Sequence, residues 1–281
     1  MSHTHENRDD KVSLVEMGPR DGLQNETATL SLAQRLALIA HLAESGLQRI
    51  EVGAFVSPKK VPQMADSAAL FNALPRRGPT RYGALVPNLQ GLQAAVAARA
   101  DEIGLFTACS DGFTRANIGI SVEESLVRFA PLVQEARSLG IKVRGYLSTV
   151  IACPFDGPTR PKRVAALAER LLDLGCHEIS LGDTIGVGTP GTVAPMLDAV
   201  LHEIPAGRLA VHFHDTYGQG LANLLPALER GIRTIDCSVA GLGGCPYAPG
   251  ASGNVASEEV VYLLHGLGMS TGVDLDQLAA T

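Results

Sequence analysis

The chain has 281 residues, 46% of them hydrophobic and 19% charged, with 23 Lys plus Arg against 29 Asp plus Glu for a formal net charge of −6. Such a composition supports a large buried core and excludes a mainly disordered chain, and the length suits one large α/β domain or two small ones. A mild acidic excess with no Lys/Arg block, 4% aromatics and no Trp argue against a nucleic-acid or anionic-membrane surface as the main partner.

In chain order, the start MSHTHENRDD is polar and carries no apolar signal core, so we expect residues 1–11 to be a disordered tail ahead of one domain over 12–281. No stretch approaches the ~20 consecutive apolar residues needed to span a bilayer, which predicts a cytoplasmic protein with no membrane partner. β-rich apolar runs predict strands at about 12–17, 48–55, 81–86, 102–106, 142–149, 177–182, 208–213 and 234–240. Between them the clearest helix-period segments are 31–45, 121–139, 161–174 and 190–203. Ser31 and Ser121 suit N-caps, Ser121 with Glu124 as a capping box, and Gly46, Gly140 and Gly175 stand where a left-handed residue ends a helix. Strand-then-helix alternation repeated eight times without a linker predicts a single (β/α)8 TIM barrel. The competing doubly wound sheet wants G-x-G-x-x-G after the first strand, where Met17-Gly18-Pro19-Arg20-Asp21-Gly22 stands instead. The five cysteines are odd in number, scattered and never spaced C-x-x-C, so we read them as reduced thiols.

In a TIM barrel the chemistry sits past the C-terminal strand ends, where this chain is rich in polar residues. His212-Phe213-His214 ends strand 7, and residues two apart on a strand share a face, so both imidazoles can meet one metal ion. The bland alternative is a pair of hydrogen-bonded histidines in a polar interior. Asp21 and Asn254, from strands that neighbour across the barrel closure, would complete a two-nitrogen, two-oxygen site. Such a set favours magnesium or manganese over structural zinc. Arg20-Asp21 sets a permanent cation beside a carboxylate, with Arg20 suited to stabilising oxyanion charge and Asp21 to serving as ligand or base.

Glu51 interrupts an apolar strand and needs a partner if it is to stay charged; Arg20 is the economical one. The segment GLGGCPYAPGASGN lets backbone approach a ligand, and its Cys245 reads as a catalytic or redox thiol, whereas Cys109, Cys153, Cys176 and Cys237 lie in or beside apolar runs and read as core. Two residues stay open: Asp183 is a catalytic carboxylate or a helix N-cap, and the Tyr146 hydroxyl is satisfied in the core or aimed into the mouth.

The motifs VEMGPRDGLQNE, EVGAFVSPKKVPQMAD, LGDTIGVGTP, HFHDTYG and GLGGCPYAPGASGNVASEE together resemble the 3-hydroxy-3-methylglutaryl-CoA lyase family of metallolyase TIM barrels, in order from about residue 12 to the end. The resemblance implies metal-dependent cleavage of 3-hydroxy-3-methylglutaryl-CoA to acetyl-CoA and acetoacetate, as in leucine degradation. It implies Asp21, His212, His214 and Asn254 as ligands of Mg2+ or Mn2+, Arg20 on the acyl-CoA carbonyl and Cys245 as the thiol of a mobile loop. We accordingly expect Arg20, Asp21, Glu51, Asp183 and Cys245 in catalysis, Arg20, Gln24, Ala54, Tyr146 and Ser180 at the substrate, an acyl-CoA as partner and a homodimer. The family often carries Ser where Ala54 stands and Trp at Lys60, both flanking the acyl-CoA entrance. Relatives usually add a helix after the point where this chain ends, so a regulatory thiol there is expected to be absent. The alternatives are a lyase for citramalyl-CoA or a longer branched hydroxyglutaryl-CoA and, further off, a Claisen-condensing acyltransferase.

Overall fold

The structure, a computed structural model, describes residues 11–76, 78–244 and 253–281; residues 1–10 of the expected tail and Cys245 lie outside the described residues. Eight parallel strands close into a barrel: β1 (Ser13–Glu16), β2 (Arg49–Ala54), β3 (Arg81–Leu85), β4 (Glu102–Ala108), β5 (Lys142–Ser148), β6 (Glu178–Asp183), β7 (Leu209–Phe213) and β8 (Thr234–Cys237), with β8 paired back onto β1. The outer ring holds α1 (Leu32–Glu44), α2 (Ser67–Ala73), α3 (Leu89–Ala97), α4 (Asp111–Ile118), α5 (Val122–Ser138), α6 (Pro161–Leu174), α7 (Pro190–Leu201), α8 (Gly220–Glu229), α9 (Ser257–Gly266) and a short α10 (Leu275–Ala279). This is the expected (β/α)8 architecture, and each predicted strand and helix falls within a few residues of its place.

Helix ends follow local chemistry. Ser121 Oγ accepts from Glu124 N at 3.2 Å while Ser121 N donates to the Glu124 carboxylate at 2.7 Å, and Ser31 forms a second box with Gln34 that the sequence reading did not name. Gly46, Gly140 and Gly175 take φ of 100°, 73° and 113°, the left-handed region in which only glycine is unstrained.

Strand alternation separates two kinds of interior. Outward residues such as Ile50, Val52, Ile103, Leu147, Leu181 and Val211 pack with helix residues such as Ile39, Leu42 and Leu171 into one apolar core. Inward residues include a run of buried and half-buried charges. Arg49 bridges Glu102 at 3.1 Å and Glu178 at 2.9 Å, Arg144 Nε donates to Glu178 at 2.6 Å, and the Arg144 fork donates to both Asp236 oxygens at 2.9 and 2.6 Å. Beside this chain a void of only about 10 Å³ remains, lined by Val15, Arg49, Glu51, Gly104 and Tyr146, so the charges satisfy one another rather than a water channel.

A register shift between Glu51 and Gly53 puts a bulge in β2, and Arg35 of α1 donates to the Val52 carbonyl there at 3.1 Å. Past the bulge Gly53 faces α2 and Ala54 packs with Leu23 and Met64.

Replacing Ser121 by Ala removes the α5 capping box and is expected to cost about 1 kcal/mol of stability, a fall of about 2–4 °C in Tm for a domain of this class. Thermal unfolding followed by circular dichroism checks it, with catalytic activity unchanged at 25 °C.

Candidate active site

The first strand ends in a wide turn. The Met17 carbonyl accepts from the backbone N–H of Arg20, Asp21 and Gly22 at 3.1, 2.8 and 3.2 Å, making Gly18–Gly22 a single π-helical turn. Turns of this kind recur at functional sites because the extra residue redirects side chains. Here Arg20 Nη1 donates to Asp21 Oδ1 at 2.8 Å and Arg20 Nε donates to Glu51 Oε1. The expected Arg20–Glu51 pair is therefore present, and the second Glu51 oxygen accepts from the Tyr146 hydroxyl. The tyrosine is inward-facing and its hydroxyl is satisfied. Gly104 makes room for it, since a Cβ there would lie 2.4 Å from the Tyr146 ring.

Across the mouth His212 and His214 point the same way, their Nε2 atoms 3.2 Å apart, and His212 Nε2 lies 3.9 Å from Asp21 Oδ2. One donor atom from each of Asp21, His212 and His214 falls within 4.8 Å of the others. An isolated antiparallel bridge sets Asn254 beside His214, and Asn254 Nδ2 donates to Asp21 Oδ2 at 3.0 Å and to the Leu242 carbonyl at 3.1 Å. Its Oδ1 is buried without a hydrogen-bond partner. A carboxylate, two imidazoles and an orphaned amide oxygen, with no thiolate among them, fit a hard or borderline divalent cation.

The electrostatics suit ligation. Burial works against ionisation of Asp21, but Arg20, the two histidines and the Asn254 N–H outweigh it and hold the carboxyl at about 2. Burial, aided by His212, pushes His214 down to about 4, so its imidazole is neutral at neutral pH. His212 is oriented from behind, with Nδ1 3.3 Å from Asp236 Oδ2, which leaves Nε2 to face the site.

Asp236 and Arg144 are the residues that sequence reading missed. Each lies in a strand, the Asp236 carboxylate joins Arg144 to His212, and Ser180 Oγ donates to it at 2.7 Å. Ser180 thus serves the carboxylate behind His212. Gln24 is half-buried and Ala54 is buried among apolar side chains, neither hydrogen-bonded through its side chain to the cluster. Asp183 follows Gly182, which pairs with His212, and so falls on the alternate face of β6. Its Oδ2 accepts from Gly188 N at 2.7 Å, tying down the turn before α7, whose N-cap is Thr189 rather than Asp183. Burial raises the Asp183 carboxyl to about 6 against the Gly188 and Val187 amides, and its Oδ1 has no hydrogen-bond partner. Among the described cysteines, burial pushes the thiols of Cys176, to about 12, and of Cys109 and Cys237 upward, as inert core residues require.

Two outcomes follow from this geometry. Asp236→Asn removes the negative charge behind His212 and leaves a single neutral amide oxygen for His212, Arg144 and Ser180 to share, and is expected to weaken Mn2+ binding 10–100-fold, read by electron paramagnetic resonance of the free ion. Because the His214 pKa is depressed from 6.5 to about 4, the metal-free fold holds that contribution above pH 6.5 and loses it as pH falls toward 4. The loss is roughly 3 kcal/mol. Urea unfolding of the chelated protein across that window, read as the difference between wild type and His214→Gln, isolates it from the raised carboxyls of Asp183 and Glu16, which act with the opposite sign.

The HMGL-like family profile matches residues 11–281. The hydroxymethylglutaryl-CoA lyase of Pseudomonas mevalonii is 54% identical over 268 residues, 95% of this chain and 89% of that protein. The crystal structure of the HMG-CoA lyase from Brucella melitensis superposes with a TM-score of 0.95 at 52% identity, covering 96% of each chain. An HMG-CoA lyase from Acinetobacter baumannii, solved with coenzyme A and 3-methylmalate, superposes at 0.92 with 37% identity over 99% of this chain and 90% of that one. Relatives above 50% identity include proteins described as cytoplasmic and as mitochondrial. A match over the whole barrel, at this identity and with this fold, means that the chain belongs to the HMGL-like family, in the branch whose members are hydroxymethylglutaryl-CoA lyases.

Proposed function

We propose that this barrel mouth cleaves 3-hydroxy-3-methylglutaryl-CoA to acetyl-CoA and acetoacetate, with Asp21, His212, His214 and Asn254 as ligands of Mg2+ or Mn2+. The observation that carries the reading is the convergence of Asp21, His212 and His214 within 4.8 Å, beside an Arg20 clamped by Glu51. When bound, the divalent cation supplies Lewis acidity that makes the tertiary hydroxyl of the substrate a stronger acid. Asp21, ionised throughout the physiological range, accepts that proton; a carboxylate held at about 2 is a weak base and needs an acidified hydroxyl. The oxygen lone pair closes to the ketone of acetoacetate as the C2–C3 bond breaks, and the released pair passes to C2 and onto the thioester oxygen. Arg20, kept in place by Glu51 and Tyr146, stabilises that enolate oxygen. Cys245 then delivers a proton to C2, giving acetyl-CoA.

The base of the Cys245 loop supports that role. A Cβ on Gly253 would lie 2.4 Å from the Gly243 carbonyl carbon and one on Gly243 2.7 Å from Asn254 Nδ2, so the described residues on either side of the Cys245 segment lie against each other and beside Asn254. Gln24, Ala54, Tyr146 and Ser180 complete the substrate side, Tyr146 and Ser180 through Glu51 and Asp236. Asp183 acts by fixing the turn at the end of β6. Four unpaired, buried thiols among the described residues fit a reducing compartment such as the cytoplasm, and we take the working form as a homodimer paired through outer helices. Among the described residues no helix is long and apolar enough to cross a membrane. The Claisen condensation is not favoured, since the matched relatives are named as lyases, and a different hydroxyacyl-CoA alone is not favoured, since even the relative named for 3-hydroxy-3-isohexenylglutaryl-CoA is named for this substrate too.

The test is acetyl-CoA release from 3-hydroxy-3-methylglutaryl-CoA with Mg2+, with Mn2+ and with chelator. Fast cleavage that chelator abolishes and acetoacetate accompanies is the expected result; no cleavage by a protein that binds Mn2+ sinks the substrate assignment. Arg20→Lys cannot hold Glu51 and Asp21 at once and is expected to lower kcat by about 10²–10³-fold. His214→Ala should abolish turnover with the fold retained. Cys245→Ala should slow turnover severely yet leave Mn2+ affinity nearly unchanged, and a wild-type rate in that variant removes the thiol from the proton step.

A further inference from the structure

Glu16 is a fully buried carboxylate that the chemistry above does not use. It ends β1 on the helix-facing side and takes three hydrogen bonds. Oε1 accepts from Gly18 N at 2.8 Å and Val239 N at 2.9 Å, and Oε2 accepts from Ser257 Oγ at 2.6 Å. Gly18 opens the π turn that carries Arg20 and Asp21. Val239 opens the turn Val239–Gly241, just before Leu242, whose carbonyl holds the Asn254 side chain. Ser257 begins α9, three residues after Asn254. One carboxylate therefore touches the start of the Asp21 segment and both flanks of the segment that ends at Asn254.

Two further observations point the same way. A Cβ on Gly18 would lie 2.6 Å from Glu16 Oε1, so the turn is drawn against the carboxylate as closely as a glycine permits. Ala240, next to Val239, has φ 54° and ψ 18°, a left-handed conformation that alanine keeps only when its surroundings hold it. Its N–H is fixed to the Glu258 carboxylate at 3.0 Å.

We infer that Glu16 is a positioning residue that locks the Asp21 turn to the Asn254 segment and so sets the spacing of the two oxygen ligands across the closure of the barrel. The inference rests on the metal-site reading above and assigns the residue that assembles it. Glu16 meets only neutral donors, and burial, with Glu258 adding to it, raises its carboxyl to about 7 against the three hydrogen bonds. Cys237 is the other titratable group whose charge Glu16 affects. What matters at this position is therefore an acceptor of the right shape rather than a full negative charge. Glutamine provides one: its amide oxygen can take both backbone N–H groups, and its NH2 can donate to Ser257 Oγ.

The test compares wild type, Glu16→Gln, Glu16→Ala and Gly18→Ala in the full chain. Mn2+ affinity, kcat and KM, and hydrogen exchange over residues 18–22 and 239–244 are read in each. Glu16→Gln should stay within about threefold of wild type in every reading, as expected where the hydrogen-bond pattern survives. Glu16→Ala should speed exchange about tenfold or more in both turns together, weaken Mn2+ 10–100-fold and lower kcat by more than tenfold with KM within about threefold. Gly18→Ala, which keeps the carboxylate but pushes the turn off it, should repeat that pattern more mildly, and decides the matter if Glu16→Ala does not fold. Wild-type Mn2+ affinity in a folded Glu16→Ala, faster exchange in one turn only, or damage by Gln equal to that by Ala overturns the lock. If wild type itself takes up no Mn2+, the metal-site reading fails instead, and the paired exchange of the two turns still decides for or against Glu16.

Discussion

The Arg144–Asp236 ion pair lies where the packing of the barrel and the chemistry of its mouth meet. A closed barrel must fill its own interior, and this one places a guanidinium there with almost no exposure. Both ends of Arg144 are used, Nε toward Glu178 and the fork toward both Asp236 oxygens. Isolated, either charge would be costly to bury; paired and bidentate, each becomes a rigid reference point. Asp236 passes that rigidity to His212, and Arg144 Nη1, 3.4 Å from the Tyr146 hydroxyl, links toward Glu51 and Arg20. His212 and Arg20, on opposite sides of the mouth, are thus held by one hydrogen-bonded chain rather than by loops alone.

The same chain explains why a divalent cation suits this mouth. Inside the barrel the guanidiniums of Arg20, Arg49 and Arg144 face the carboxylates of Asp21, Glu51, Glu102, Glu178 and Asp236, which leaves two carboxylates in excess. Those two charges have little water to screen them. A divalent cation held by Asp21, His212 and His214 would offset that excess at the barrel mouth.

Much of this was legible in the sequence, for reasons particular to each element. Periodicity of 2 and 3.6 located the strands and helices because their outward and inward faces differ in polarity, and Ser31, Ser121 and the three glycines marked ends by chemistry that needs no tertiary partner. His212-Phe213-His214 was legible because spacing on a strand dictates facing. Glu51 stood out as a carboxylate in an apolar run. Arg49, Glu102 and Glu178 are charges in strands as well, but each is the first residue of its strand, where it reads as an ordinary solvated end. Arg144 and Asp236 lie deeper, and a charge within a strand, as with Glu51, was the available signal. Of the two readings of Asp183, the helix cap gave way to a carboxylate that holds the turn just short of it.

By itself the sequence determined the order and type of elements, the closed eightfold alternation and the residue types gathered at the strand ends, because these depend on interactions within a few residues. Only the tertiary structure decided which charges meet. The π turn that swings Arg20 toward Glu51, the bulge in β2 and the carboxylate behind His212 depend on the register of neighbouring strands, and the contact of Glu16 with Val239 depends on closing β8 onto β1. That closure brings residues more than two hundred positions apart to within 3 Å, as Glu16 and Val239 show. No local pattern encodes such a contact, since it exists only once every strand between them has taken its register.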